Sequence, residues 1–260
     1  MHALFLATAG LVVQIPSEDL PLGIEGKSVV RSLGRIEADG RVRLRDVTVR
    51  YARRVALEGV SGEFGSGSLT AVVGANGAGK TTLLAAIAGA VPLAGGAVDC
   101  AARERLAYLP QLAAIDREYP LTVSELITLG GWQEFGAFRS PRAAMRERAA
   151  AAAETVGLAR RLRQSICELS VGELQRALFA RVMLQDATVI LLDEPFAAVD
   201  APTISILLDQ VTRWQQEGRT VIAVLHDLDL VRARFPSTLV LARRCIAWGN
   251  TEAALSAVAA

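Results

Sequence analysis

The chain has 260 residues, of which 52% are hydrophobic and 21% charged, a balance that supplies a large buried core and excludes a disordered polar chain. Its 28 basic and 27 acidic side chains are spread along the length, so no net field draws it to nucleic acid or anionic lipid, and a nucleic-acid partner gets no support. Cys100, Cys167 and Cys245 stand alone, with neither the spacing of a zinc site nor the density of a disulfide scaffold, and suit a reducing compartment.

Residues 1–40 form an N-terminal extension of weak pattern, interrupted by Pro16, Pro21, Gly23 and Gly26, and no function is assigned to it. The apolar run from Ala3 to Val13 has about half of the ~20 residues that a membrane span needs, and no basic residue precedes it as in a secretory signal. Gly26-Lys27-Ser28 looks like the end of a phosphate loop, but Pro21 stands where the loop's first glycine belongs.

From Arg41 the pattern becomes regular, and one domain is expected over residues 41–250. Six arginines between Arg41 and Arg54 interleave with Val42, Leu44, Val47, Val49 and Tyr51, which reads as a solvated sheet face. Strands are expected near 42–50 and 56–64, then an apolar strand Leu69 to Val73, a glycine loop and a helix through about Ala88. Residues 114–168 read as a mostly helical insertion, with Val123 to Leu129 and the alanine-rich run from Pro141 to Val156 as its helices. A helix from about Val171, a strand Val189 to Leu192, a helix near 202–216, a strand Thr220 to Leu225 and a β-rich stretch near 238–248 follow, with 251–260 as a tail. Apolar strands separated by helices imply a mostly parallel sheet covered on both faces, hence an α/β fold.

Gly74-Ala75-Asn76-Gly77-Ala78-Gly79-Lys80-Thr81 fits G-x-x-x-x-G-K-[ST] between a strand and a helix. Glycines let backbone N–H groups turn onto phosphate oxygens, Lys80 neutralises them, the helix start at Thr81 and Thr82 adds its positive dipole end, and the Thr81 hydroxyl is placed for Mg²⁺. Asp193 closes the later strand and can hold the metal, while Glu194 can polarise an attacking water. This pair fits many ATPases and GTPases of the P-loop class.

Leu169-Ser170-Val171-Gly172-Glu173 narrows the class, because it resembles the Leu-Ser-Gly-Gly-Gln signature of ABC ATPases, and the resemblance covers about residues 41–250. The family's other elements then fall in order. Tyr51 is the aromatic that stacks adenine, Gln111 the glutamine that reaches metal and water, Ala197 to Asp200 the dimer-contacting loop, and His226 the switch residue. Taken singly, Tyr51 reads as well as a strand-packing aromatic, Gln111 as a polar loop residue and His226 as a strand-end cap. The signature departs from the family at Val171 and Glu173 but keeps Ser170 and Gly172, the residues that face the γ-phosphate.

The resemblance implies a P-loop fold with an antiparallel β subdomain and an inserted helical subdomain. It implies ATP and Mg²⁺ as cofactors, and catalysis by Glu194, His226 and Gln111. ATP would be held by Tyr51, the loop from Gly74 to Thr82, and Ser170 and Gly172 of a second copy or a similar chain. Mg²⁺ would be held by Thr81, Gln111 and Asp193. The implied partners are integral membrane permease subunits and, for an importer, an extracytoplasmic substrate-binding protein; the implied place is the cytoplasmic face of the inner membrane. Tyr119, Trp132, Phe135 and Phe138 fall within twenty residues and fit either a groove for a permease helix or the core of the helical insertion. Residues 116–123, 193–201 and 225–232 look like ATPases of bacterial manganese and zinc importers, with iron-chelate importers close by. A soluble, non-transport ABC ATPase and an exporter ATPase share the same motifs.

Overall fold

The computed structural model describes residues 39–259 except Arg53, Asp116 and residues 136–141, together with a pair of three-residue antiparallel strands, β1 (Leu4–Leu6) and β2 (Leu11–Val13). That pair lies within residues 1–40, where the sequence pattern predicts no regular element. Gly26-Lys27-Ser28, Phe138 and Pro141 lie outside the described residues, as does the side chain of Phe135.

Two sheets sandwich a helix. β3 (Val42–Tyr51), β4 (Arg54–Phe64) and β6 (Gly95–Cys100) form an antiparallel sheet in the order β4-β3-β6. Alternate residues of β3 and β4, among them Val42, Leu44, Leu57, Val60 and Phe64, turn inward, while the arginines between them stay outside in exposed pairs such as Arg43 with Glu63. The second sheet comprises β5 (Leu69–Val73), β7 (Leu106–Leu109), β8 (Val189–Asp193), β9 (Thr220–Val224), β10 (Ser237–Ala242) and β11 (Arg244–Asn250). Its order is β11-β10-β5-β9-β8-β7, parallel throughout except for the antiparallel edge strand β11.

Because β5, β8 and β9 are buried at every residue, each feeds two cores. Val72, Leu191 and Val224 face α1 (Lys80–Ala88) and the antiparallel sheet; Ala71, Val73, Ile190 and Leu192 face the helices on the other side. Those helices include α2 (Val123–Thr128), α3 (Trp132–Phe135), α4 (Ala143–Thr155), α5 (Val171–Leu184) and α6 (Ala201–Gln216). Thr122 opens α2 with a capping box closed by Glu125, and Asp200 caps α6 through the Thr203 N–H. Tyr119 is exposed and Trp132 half-buried.

Besides β1 and β2, four elements are not predicted by pattern: β6, β7, α7 (Leu228–Arg234) and α8 (Thr251–Ala259). The helix α8 packs Ala254 and Leu255 against the sheet, and its buried Thr251 hydroxyl meets Thr238 Oγ1 at 2.8 Å. Among the described residues no helix is long and apolar enough to cross a membrane.

Candidate nucleotide site

The loops that follow parallel strands β5, β7, β8 and β9 gather at one end of the sheet, where α/β folds bind their ligands. There they border a cavity of about 710 Å³ whose lining includes Tyr51, Asn76, Lys80, Thr81, Gln111, Glu194 and His226. Residues 51 to 226 of the sequence thus converge on one space.

The phosphate loop is shaped by backbone constraints that only glycine meets. Gly74 has φ 154°, and a Cβ there would stand 2.1 Å from the Leu241 carbonyl oxygen; Gly79 has φ 98°, and its Cβ would stand 2.6 Å from the Ala56 carbonyl. Gly79 caps α1 without any side-chain bond, so the first N–H groups of that helix remain free to meet an anion. The Lys80 side chain bends back over the loop and donates to the carbonyls of Gly74 at 2.8 Å and Ala75 at 3.0 Å. Burial lowers the pKa of its ammonium, and the charges of Glu194 and Asp193 oppose that shift. A lysine held this way is a cation aimed across the loop.

Asp193, the last residue of β8, is fully buried, and neither of its carboxylate oxygens has a hydrogen-bond partner among the described residues. Burial raises its pKa to about 6; the nearby Thr81 hydroxyl opposes the rise, Glu194 adds to it, and Lys80 and His226 also oppose it. An orphaned buried carboxylate beside a hydroxyl is what a hard divalent cation needs, so the residues present fit Mg²⁺.

Glu194 sits one residue on, in a left-handed backbone conformation with φ 52°. Gln111 Nε2 donates to its Oε1 at 3.1 Å and His226 Nε2 meets the same oxygen at 2.8 Å, while Oε2 has no partner among the described residues. The Gln111, Glu194 and His226 side chains, from three different strand ends, therefore form one hydrogen-bonded group. Tyr51 stands at the rim, 39% exposed, across the β3–β4 turn from Arg54.

Ser170 and Gly172 do not line this cavity; they lie at the start of α5. Ser170 Oγ accepts from the Glu173 N–H at 3.2 Å and Glu173 Oε2 accepts from the Ser170 N–H at 2.9 Å, a reciprocal capping box that hydrogen bonding keeps ionised. Serine followed three residues later by glutamate is a capping pattern readable in the sequence, and it gives Glu173 a role that the departure from the signature conceals. Val171 opens the helix 44% exposed and is not among the residues with positive φ, so no glycine-only dihedral is required there. A Cβ on Gly172 would come 2.4 Å from the Ala198 carbonyl, so the signature turn packs directly on the loop from Ala197 to Asp200.

Three further residues escaped the pattern. Arg54 and Ala56 line the cavity, and Gln175 of α5 donates from Nε2 to the Glu194 carbonyl at 3.0 Å. No motif spacing marks them; only the folded chain brings them in. Among the described residues no cluster of three or more His, Cys, Asp or Glu side chains is placed to hold a metal ion by itself.

Residues 57–197 match the family model described as ABC transporter. The chain is 34% identical to the manganese transport system ATP-binding protein MntB of Listeria monocytogenes over 215 residues, covering 80% of this chain and 90% of that protein. It is 37% identical to the zinc transport system ATP-binding protein TroB of Treponema pallidum, covering 83% of each. Among solved structures, an ATP-binding subunit of an ABC transporter superposes with a TM-score of 0.71 at 24% identity, covering 80% of this chain and 89% of the other. A bacterial Atm1-family ABC exporter with ATP bound superposes with a TM-score of 0.72 at 24% identity, covering 90% of this chain and 43% of the other. These two likenesses show the fold.

Proposed function

The chain belongs to the ABC transporter family as an ATP-hydrolysing subunit, and from that premise we propose that it powers a bacterial importer of manganese or zinc. The observation that carries the hydrolytic part is the convergence of Gln111 and His226 on Glu194 Oε1 beside the phosphate loop. Relatives named for manganese and zinc transport over four-fifths of the chain support the cargo.

In this reading the loop N–H groups and Lys80 bind the β- and γ-phosphates of ATP, and Tyr51 stacks on adenine. Asp193, Thr81 and Gln111 hold Mg²⁺, which when bound neutralises phosphate charge. Glu194 accepts a proton from the attacking water, and His226 senses the γ-phosphate through its bond to Glu194. Ser170 and Gly172, which stand outside the cavity of their own chain, serve in this reading the nucleotide of a second subunit, so that each ATP lies between two chains; their position at the exposed start of α5 supports this. Closure of that dimer passes to integral membrane permease subunits on the cytoplasmic face of the membrane, and an extracytoplasmic binding protein delivers the cargo.

Uptake of manganese, zinc and iron in cells lacking this chain tests the assignment. Loss of manganese or zinc uptake, restored by the intact chain and not by Lys80→Ala, is expected; unchanged uptake of both contradicts it.

A further inference from the structure

Gln175, on the second turn of α5, is 1% exposed and lies among the buried apolar residues Leu174, Ala177 and Leu178 of that helix. Its Nε2 donates to the Glu194 carbonyl at 3.0 Å, an orientation forced by chemistry because a carbonyl oxygen only accepts. Its other end, Oε1, is buried without a hydrogen-bond partner among the described residues. A leucine or methionine would fill this space without leaving an acceptor unsatisfied, so packing alone gives no reason for an amide here.

What the amide holds is the backbone of the water-activating residue. Glu194 has φ 52°, a conformation strained for any side chain, and persists only if its surroundings fix it. Its N–H donates to the Val224 carbonyl at 3.2 Å, and its carbonyl accepts from the Ala197 N–H at 3.2 Å as well as from Gln175. The Glu194 backbone is thereby held at both flanking peptide groups, and its orientation sets where the carboxylate points. The clamp on the carbonyl side comes from the helix that begins at Ser170 and Gly172.

We propose that Gln175 is a positioning residue that aims Glu194 and ties it to the start of α5, so that engagement of the second subunit's nucleotide by Ser170 and Gly172 is felt at the glutamate of the chain's own site. The second half of this statement rests on the two-chain site proposed above.

Gln175→Met keeps the volume and removes the donor. Steady-state hydrolysis against ATP concentration is expected to show kcat lowered about ten- to hundredfold with KM and ATP affinity nearly unchanged, because misaiming costs turnover and not binding. The Hill coefficient is expected to fall from a wild-type value near two, the number of sites, towards one. Gln175→Glu supplies a donor only when protonated, so its rate relative to wild type rises as pH falls from about 8 to about 6. Unchanged kcat in folded Gln175→Met overturns the positioning role. Loss proportional to the unfolded fraction in urea titration, with a flat Gln175→Glu ratio, overturns it in favour of plain packing. Non-cooperative hydrolysis by the wild type overturns the link between sites while leaving the kcat result to decide the clamp.

Discussion

Replacing Glu194 by glutamine separates binding from chemistry. The amide oxygen that results can still accept from Gln111 Nε2, now at 3.1 Å, and from His226 Nε2, now at 2.8 Å, and the backbone clamp from Gln175 is untouched. The ground-state pocket therefore survives. What disappears is a group able to take a proton from water, and general-base catalysis contributes about 10²–10⁴-fold, equivalent to about 3–5 kcal/mol of barrier. Phosphate release by purified Glu194→Gln at saturating Mg²⁺ and ATP should fall by that factor, while equilibrium ATP affinity stays within about threefold and an ATP-bound dimer accumulates. Phosphate release within tenfold of wild type, or loss of ATP binding, would refute the assignment of Glu194 as base.

Gly74→Ala places a Cβ 2.1 Å from the Leu241 carbonyl at φ 154°, so the phosphate loop must move off β10; urea unfolding should show a loss of about 3 kcal/mol, and a loss below about 1 kcal/mol contradicts the packing argument. Asp193→Asn removes a buried carboxylate without a hydrogen-bond partner among the described residues, so the nucleotide-free protein should gain about 1–3 kcal/mol in urea while the Mg²⁺ dependence of ATP affinity disappears; retained Mg²⁺ dependence contradicts its role as ligand. Glu173→Gln keeps the capping box, which glutamine closes as well, and removes an anion beside the position assigned to the second chain's γ-phosphate. The ATP concentration for half-maximal hydrolysis should drop about two- to fivefold with little change in thermal midpoint, and a rise contradicts the placement.

The sequence made the sheet's centre legible because β5, β8 and β9 are buried on both faces and therefore apolar at every position. It hid β7, since Leu106–Leu109 is four residues long and too short to show a period, and α7, where Asp229, Arg232 and Arg234 interrupt any apolar stripe. The phosphate loop and Asp193 were readable as local strings. In the Gln111–Glu194–His226 group, Glu194 is legible from its place at a strand end, but Gln111 and His226 are readable only as scattered family positions, because strand order and not spacing brings the three together. Gln175 was invisible for a different reason: a glutamine in a helix reads as a surface residue, and only its burial against the Glu194 carbonyl distinguishes it. Ser170 and Gly172 are anticipated as nucleotide contacts, and the structure places them outside the cavity that Lys80 and Glu194 line.

The claim that each site is shared between two chains is tested most directly by mixing two inactive variants. Lys80→Ala removes the loop cation, and Ser170→Arg blocks the exposed start of α5, so each homodimer lacks one half of both sites. In an equal mixture half of the dimers are heterodimers, and each of these has one intact site formed by the Ser170→Arg chain's phosphate loop and the Lys80→Ala chain's signature. Hydrolysis should recover to about a quarter of the wild-type rate, less any loss from cooperation between sites. Activity no greater than the sum of the two variants measured alone would contradict the shared site.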